Sequence, residues 1–294
     1  MTQSKSLMGI AISLIIAALI LFAGSQGSLS FHGLPLFAIC GIIGFVLHWA
    51  VFIPSYIFQT EHYFDLTGSI SYIATVFLAI LLNSSLDLRD LIICSMIILW
   101  AARLGSFLFW RVKTVGQDSR FTVMKTKFSW FLLTWTLGGL WVLVTMAAGL
   151  AALSSNMTIE LGILGYLGIS LWLFGFIIEI IADNQKTQFK KDPNNQGRFI
   201  TTGLWSWSQH PNYFGEIVLW FGLSLLALPV LNGWQLATLI SPVFVYFLLT
   251  KVSGIPTLDR IAMEKWGSDS EYKNYIKRTS KLLLAPPKNL DELI

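Results

Sequence analysis

Long apolar runs separated by short polar segments dominate this chain. Crossing the hydrocarbon core of a membrane takes about 20 consecutive apolar residues, and eight runs approach that length. They cover residues 7–24, 34–57, 69–83, 88–110, 130–153, 160–181, 213–231 and 234–250. The runs are continuous rather than alternating, and helices satisfy all of their backbone polar groups within the membrane. We therefore predict an all-α polytopic transmembrane bundle, a single domain over residues 1–294, with a polar tail from residue 251.

The positions of lysine and arginine predict the orientation of the bundle. If Lys5 is cytoplasmic, eight spans place residues 111–127, 186–198 and everything after 251 on the same side. Of the 20 Lys and Arg residues, only Arg89 and Arg103 fall elsewhere. Cytoplasmic segments of membrane proteins carry such an excess of positive charge. We expect both termini to be cytoplasmic and the membrane to be a bacterial inner membrane, and a nucleic-acid partner is not needed to explain the net charge of +4.

Composition agrees with a membrane protein, because charged residues make up only 12% of the chain against about 25% in soluble domains. The first run also fits a signal peptide loosely. We expect it to be retained, since its removal would place the next segment on the wrong side. Cys40 and Cys94 both fall within predicted spans, which argues against a disulfide or a zinc site. The sequence contains no Walker loop, HExxH, nucleophile elbow or GxGxxG motif.

Candidate chemistry gathers at the predicted cytoplasmic ends of the helices. Glu61, Tyr63 and Asp65 lie between the second and third runs. One interpretation is an ordinary solvated loop. The other is the lip of an active site, with a carboxyl or phenol placed for proton transfer.

Three arginines form a second group. Arg103 lies about two turns inside a predicted span, where an unpaired guanidinium is expensive, so we expect a polar cavity or an anionic partner there. Arg111 follows near the same helical face, and Arg120 lies in the next loop. Arginine suits phosphate, so the three together would fit a phosphorylated cofactor. Simple anchoring by positive charge is the alternative for Arg111 and Arg120.

Two further polar groups lie before the seventh run and at its start. Glu179, Asp183, Lys186 and Lys190 recur at spacings of four, three and four, which is one stripe of a helix, and Arg198 follows. Salt bridges along the helix would explain part of this stripe, but Glu179 lies inside a span.

The segment from His210 to Glu216 begins the seventh run. Asn212 and Glu216 share one face if a helix begins near Tyr213, and Pro211 suits a helix start. A structural histidine is the simpler interpretation of His210 alone, but its polar neighbours favour a functional one.

The block GLWSWSQHPNYFGEIVLWFG resembles the signature of the steroid 5-alpha-reductase-like membrane family, in particular its bacterial and plant branch. Supporting blocks are TEHYFDLTGS, RLGSFLFWR, DSRF, ADNQK, GIPTLDRIAMEKWG and EYKNYIKRTS. The resemblance covers roughly residues 55–290 and leaves residues 1–55 outside it.

The resemblance implies NADPH as hydride donor and a lipophilic enone or related double bond as acceptor. It implies a cofactor pocket containing Arg103, Asp183, Arg198, Asn212 and Glu216. Lys190 would replace a basic residue of the family, and His210 and Tyr213 belong to the signature of this branch.

The chain also departs from the family pattern. Gln209 stands where the branch usually has arginine, and Trp100 occupies the position of the steroid-reductase tyrosine. The resemblance therefore leaves the proton donor to Glu61, Tyr63 or Asp65, of which we expect Glu61, because the family carries a glutamate near the end of the matching span.

A similar HP-x-Y-x-G pattern occurs in isoprenylcysteine and phospholipid methyltransferases, which bind S-adenosylmethionine. Asn212, Glu216 and Asp183 favour the reductase. The sequence thus predicts an NADPH-dependent reductase whose partners are a lipophilic substrate and membrane lipids. The alternatives are a methyltransferase using S-adenosylmethionine and a non-catalytic protein that binds or transports lipid.

Overall fold

The computed structural model describes residues 1–115 and 121–289 and is all-α apart from one short hairpin. In the hairpin, β1 (Ser30–Phe31) pairs antiparallel with β2 (Leu34–Pro35). The helices before residue 116 are α1 (Gln3–Ser25), α2 (Leu36–Gly41), α3 (Ile43–Ile57), α4 (Phe64–Leu82) and α5 (Leu88–Val115). The later helices are α6 (Phe128–Thr145), α7 (Ala147–Leu153), α8 (Ile163–Lys191), α9 (Pro211–Ala227), α10 (Ile240–Phe247), α11 (Gly254–Trp266) and α12 (Ser270–Arg278).

The prediction of eight spans is confirmed for the described residues. Eight helical segments there are long and apolar enough to cross a membrane. The fold is therefore an all-α polytopic bundle and the protein is an integral membrane protein. The cytoplasmic location of both termini stays a prediction.

Several predicted boundaries are wrong in an informative way. The third span is α4, which begins at Phe64 and not at residue 69, because Asp65 lies in its first turn and Tyr63 at its N-cap. The helix predicted over 130–153 is two helices, α6 and α7, which meet at Met146. Polar residues extend α8 as far as Lys191, ten residues beyond the apolar run. Hydropathy thus located the apolar part of each helix but not its polar end turns.

The chain divides into two compact units by its internal contacts. The first unit comprises Met1–Leu167 and Leu223–Ser241, and the second comprises Gly168–Gly222 and Pro242–Ile294. In the first unit α6 packs against α1 and α3, and α4 packs against α5. Its core includes an aromatic cluster of Phe52, Phe121, Phe131 and Trp135.

In the second unit two helices cross at unusually short range. A Cβ atom added to Gly175 of α8 would lie 2.5 Å from the carbonyl oxygen of Gly215 in α9. A Cβ added to Gly215 would lie 2.6 Å from the carbonyl oxygen of Gly175. Real Cβ atoms do not approach backbone this closely, so any larger residue would push the helices apart. Small residues of this kind let membrane helices pack backbone against backbone.

Arg89 connects several chain segments within the first unit. Its side chain is almost completely buried and donates to the carbonyl oxygens of Leu226 (2.5 Å), Ile159 (2.9 Å) and Glu160 (3.0 Å). Leu226 lies in the last turn of α9, where carbonyl groups have no intrahelical partner and the helix dipole favours a cation. This explains why an arginine stands apart from the other basic residues.

We expect Arg89→Met to lower the free energy of unfolding by about 3 kcal/mol or more, because it leaves buried carbonyl groups without a donor. Chemical denaturation in mixed micelles would measure the loss. Arg260→Met is the matched control, since the Arg260 side chain is 67% exposed, and it should change stability by no more than about 0.5 kcal/mol. Equal effects of the two substitutions would contradict the structural role of Arg89.

Candidate functional site

The crossing of α8 and α9 brings the turn of α8 that carries Glu179 against the turn of α9 that carries Glu216. A Cβ on Gly215 would lie 2.8 Å from the backbone nitrogen of Glu179, so Glu179 lies directly against the residue that precedes Glu216. Glu179, Asp183 and Glu216 are all buried, which is uncommon for carboxylates. The structure thus places three of the predicted site residues along one helix pair.

The cytoplasm-facing part predicted for α8 is held by the loop that precedes α9. The indole of Trp205 donates to the carbonyl oxygen of Ala182 (3.0 Å), the residue before Asp183. The Lys186 ammonium lies 4.4 Å from the centre of the Trp205 ring, a cation–π contact. Trp205 therefore packs against the turn of α8 that carries Asp183 and Lys186.

The signature segment begins α9 as predicted. Pro211 is the first helical residue, and the ring of Tyr213 stacks nearly parallel on that of His210, with centroids 5.8 Å apart. Asn212 and Tyr213 are half-buried and Glu216 is buried one turn later. The segment therefore presents an amide and a phenol nearer the helix start and a carboxylate deeper along the helix.

His210 also contacts the tail. Its Nε2 lies 3.4 Å from Oδ1 of Asp259 in α11, and Oδ2 of Asp259 forms an ion pair with Lys281. Burial lowers the pKa of His210 to about 4, although Asp259 opposes the shift. The imidazole is accordingly neutral at neutral pH, with one nitrogen able to donate and the other to accept.

The residues just before His210 are tethered by the C-terminal tail. The Gln209 amide donates to the carbonyl oxygens of Thr279 (2.8 Å) and Ile276 (3.1 Å). The Ser208 hydroxyl donates to the carbonyl oxygen of Leu282 (2.8 Å), and the Gln209 N–H donates to that of Ser280 (2.8 Å). These bonds give Gln209, the departure from the branch signature, a structural role.

The predicted proton-donor segment lies in the first unit. The Glu61 side chain is 1% exposed, and one of its oxygens lies 2.8 Å from Nζ of Lys125. Tyr63 is 52% exposed. Asp65 is in the first turn of α4, with a carboxylate oxygen 3.8 Å from the Arg111 guanidinium. Of the three, only Glu61 is buried.

The predicted cationic residues are distributed over both units. Arg103, half-buried in the first unit, lies over the ring of Phe107 with its guanidinium carbon 5.4 Å from the ring centre. Lys190 and Arg198, in the second unit, are exposed. Arg120 lies outside the described residues. A shared role of these cations in phosphate binding stays a prediction.

Sequence reasoning missed two partners of candidate site residues. Lys125 pairs with Glu61 across 64 positions of sequence, and nothing in the pattern relates them. Asp259 approaches His210 from the polar tail, far from it in sequence. A signal for Asp259 did exist, because it falls within one of the supporting blocks, GIPTLDRIAMEKWG.

We expect the buried His210 to make stability depend on pH. A folded pKa of about 4, below the unfolded value near 6.5, means that the unfolded state binds more protons between these values. This stabilisation is complete above about pH 6.5 and is lost as pH falls towards 4, a loss on the order of 3 kcal/mol. Chemical denaturation across this range should show a weaker dependence in His210→Gln than in the unchanged protein. Parallel curves would contradict a buried neutral imidazole near Asp259, Lys186 and Lys281.

Comparisons with known proteins find similarities over part of the chain, to relatives whose names indicate different activities. A 131-residue stretch is 30% identical to "Probable O-methyltransferase ustE" of Ustilaginoidea virens, covering 38% of this chain and 46% of that protein. A 70-residue stretch is 33% identical to "3-oxo-5-alpha-steroid 4-dehydrogenase 1" of Bos taurus, covering 24% of this chain and 27% of that protein. A 134-residue stretch is 25% identical to an uncharacterised protein of Schizosaccharomyces pombe, covering 38% of each. The chain thus spans less than half the length of the curated relatives it matches.

No solved structure matches the chain. A family model does, over residues 51–279, and its description is "Protein of unknown function (DUF1295)". The match includes the Glu61 segment, the α8–α9 crossing, the HPNYFGE signature and Asp259. The chain therefore belongs to the DUF1295 family, which is the steroid 5-alpha-reductase-like family.

Proposed function

We propose that the protein is a membrane-embedded, NADPH-dependent reductase of a carbon–carbon double bond in a lipophilic, steroid- or enone-like substrate. The observation that carries this proposal is the group of buried carboxylates Glu179, Asp183 and Glu216 on the glycine crossing of α8 and α9. Membership of a reductase-like family supports it, as does the similarity to a 3-oxo-5-alpha-steroid 4-dehydrogenase.

The residues of the second unit fit the polar end of a nicotinamide nucleotide. Buried carboxylates accept hydrogen bonds from ribose hydroxyls and from a carboxamide N–H, and Asn212 both donates and accepts. Lys190 and Arg198 supply exposed cations suited to phosphate. When bound, the cofactor supplies a hydride. The role of Glu216 and its neighbours is to orient the nicotinamide end.

Reduction of a double bond also needs a proton, which we assign to Glu61. Burial favours the neutral acid, whereas the nearby Lys125 ammonium favours the carboxylate. Lys125, whose Nζ lies 2.8 Å from a Glu61 oxygen, orients this carboxyl group. Glu61 donates its proton to the substrate as the hydride adds to the other end of the double bond. Tyr63 and Asp65 are the remaining candidates on the same segment.

A methyltransferase is the second candidate function. It is favoured by the 30% identity with a probable O-methyltransferase, and the buried carboxylates would also suit the hydroxyls of S-adenosylmethionine. A third candidate, a lipid-binding or transport protein without catalysis, predicts binding of neither cofactor.

The first test compares the two cofactors directly. We expect the purified protein in lipid nanodiscs to bind NADPH and not S-adenosylmethionine by calorimetric titration. Glu216→Gln should weaken NADPH binding by about tenfold, the value of one charge-assisted hydrogen bond. Glu264→Gln, at a side chain that is 64% exposed, is the control and should leave binding unchanged. Binding of S-adenosylmethionine alone would replace the reductase with the methyltransferase, and binding of neither would favour the non-catalytic protein.

The second test concerns the proton donor. We expect Glu61→Gln to lower the rate of NADPH oxidation with a 3-oxo-steroid carrying a 4,5 double bond by on the order of 10²-fold, while NADPH affinity is preserved. Lys125→Met removes the cation that favours the carboxylate, so it should move the alkaline limb of the pH–rate profile to higher pH. Unchanged turnover in Glu61→Gln would transfer the role to Tyr63 or Asp65.

A further inference from the structure

The C-terminal segment of the second unit encloses a pocket of about 600 Å³, which we call the tail pocket. Helices α11 and α12 form two sides, and the chain from Thr279 to Lys288 forms the third. The Lys288 N–H donates to the carbonyl oxygen of Arg278 (2.9 Å), which brings the end of this segment back to the end of α12. The volume lies in the range of about 300–1,000 Å³ that is usual for sites of small organic molecules.

The tail pocket is strongly basic. Four cationic side chains line it, those of Lys277, Arg278, Lys281 and Lys288. Asp259 is the one acid among the lining residues, and it is already paired with Lys281. The remaining cations leave a formal excess of three positive charges, which suits a doubly charged anion better than a single carboxylate.

Two buried polar groups beside the pocket lack partners among the described residues. Nε of Arg278 and the hydroxyl oxygen of Thr279 are both buried, and neither forms a hydrogen bond there. Thr279 is only 4% exposed. A buried polar group without a partner usually costs about 1–3 kcal/mol, so an acceptor that either donor reached after a small side-chain movement would be stabilised.

The other walls of the pocket are apolar. Met263, Ile276, Pro286 and the ring of Tyr272 contribute to them. A bare phosphate ion would leave these surfaces and most of the volume unused. The occupant therefore combines an anionic group with an apolar or aromatic body.

We propose that the tail pocket is a binding site for a phosphate monoester carried on such a body. Phosphate monoesters carry a charge of about −1.5 to −2 at neutral pH, which matches the excess positive charge of the walls. The guanidinium of Arg278 and the ammonium groups of Lys277 and Lys288 contact the phosphate oxygens. Soluble metabolites and the headgroup of phosphatidic acid share this chemistry. The proposal does not depend on the reductase, because it concerns binding without turnover.

The test uses the full chain in phosphatidylcholine nanodiscs and phenyl phosphate as the soluble probe. We expect saturable binding that weakens as ionic strength rises. Phenol, which lacks the anion, should not bind, and inorganic phosphate, which lacks the body, should bind more weakly. Lys277→Gln combined with Lys288→Gln should weaken binding by about tenfold or more. Neither lysine forms a recorded ion pair within the described residues, so the double variant should keep its fold.

Lys265→Gln combined with Lys273→Gln is the matched control, because these lysines belong to α11 and α12, which form two sides of the pocket, and do not line it. An equal loss of affinity in the control would overturn the proposal, as would the absence of binding to the unchanged protein. Asp291→Asn combined with Glu292→Gln checks the residues that follow Lys288 in sequence. Binding seen only in this variant would assign the pocket to the chain's own acidic residues and reject an external ligand.

The two sources of the phosphate are separated by changing the nanodisc lipid. If phosphatidic acid fills the pocket, discs containing it should abolish binding of phenyl phosphate, whereas phosphatidylglycerol, an anionic phosphodiester, should not. Equal binding in the three kinds of disc would identify a soluble phosphate monoester as the ligand. Equal loss with both anionic lipids would show a general surface-charge effect and overturn a specific site.

Discussion

The close contact of α8 and α9 at Gly175 and Gly215 is the constraint on which the candidate site depends. Buried carboxylates in a membrane protein are expensive unless their surroundings provide donors or cations. By bringing backbone against backbone, the two glycines place Glu179 beside the turn of α9 that carries Glu216. A wider spacing would move Glu179 away from the turn of α9 that carries Glu216, and apolar side chains would fill the gap between the helices. The glycines therefore act on the candidate site by setting the distance between the two helices.

The sequence predicted the architecture well because lipid reduces the choice of structure. Continuous apolar runs can only be helices or strands of closed barrels, and the eight predicted runs correspond to the eight observed spans. Helix ends were predicted less well, since polar residues such as Asp65 and Lys191 continue a helix beyond the apolar segment. Membership of the family was also predictable, because the HPNYFGE block is short and local. The interior contact at Gly215 was not, because a glycine in a helix does not reveal its neighbour.

Long-range polar pairs set the limit of the sequence interpretation. Glu61 was chosen as the proton donor from its position, but its partner Lys125 is distant in sequence. That ion pair gives the Glu61 carboxyl group a cationic neighbour that the local sequence does not reveal. Asp259 likewise alters His210, since a histidine that is buried next to a carboxylate has a defined orientation. In both cases the residue was predicted and its electrostatic environment was not.

The tail connects these observations within the second unit. Gln209 occupies the position of an arginine in the branch signature, and its amide bonds hold residues 276–280 directly before α9. An arginine could donate to the same carbonyl groups, but it would add a cation to the wall of the tail pocket. The neutral amide keeps the tether while leaving the positive charge to Lys277, Arg278 and Lys288. Gln209 thus holds the tail in place without adding positive charge to the tail pocket. Because the same tail also carries Asp259 to His210, a ligand in the tail pocket would act on the start of the signature helix through contacts that are already formed.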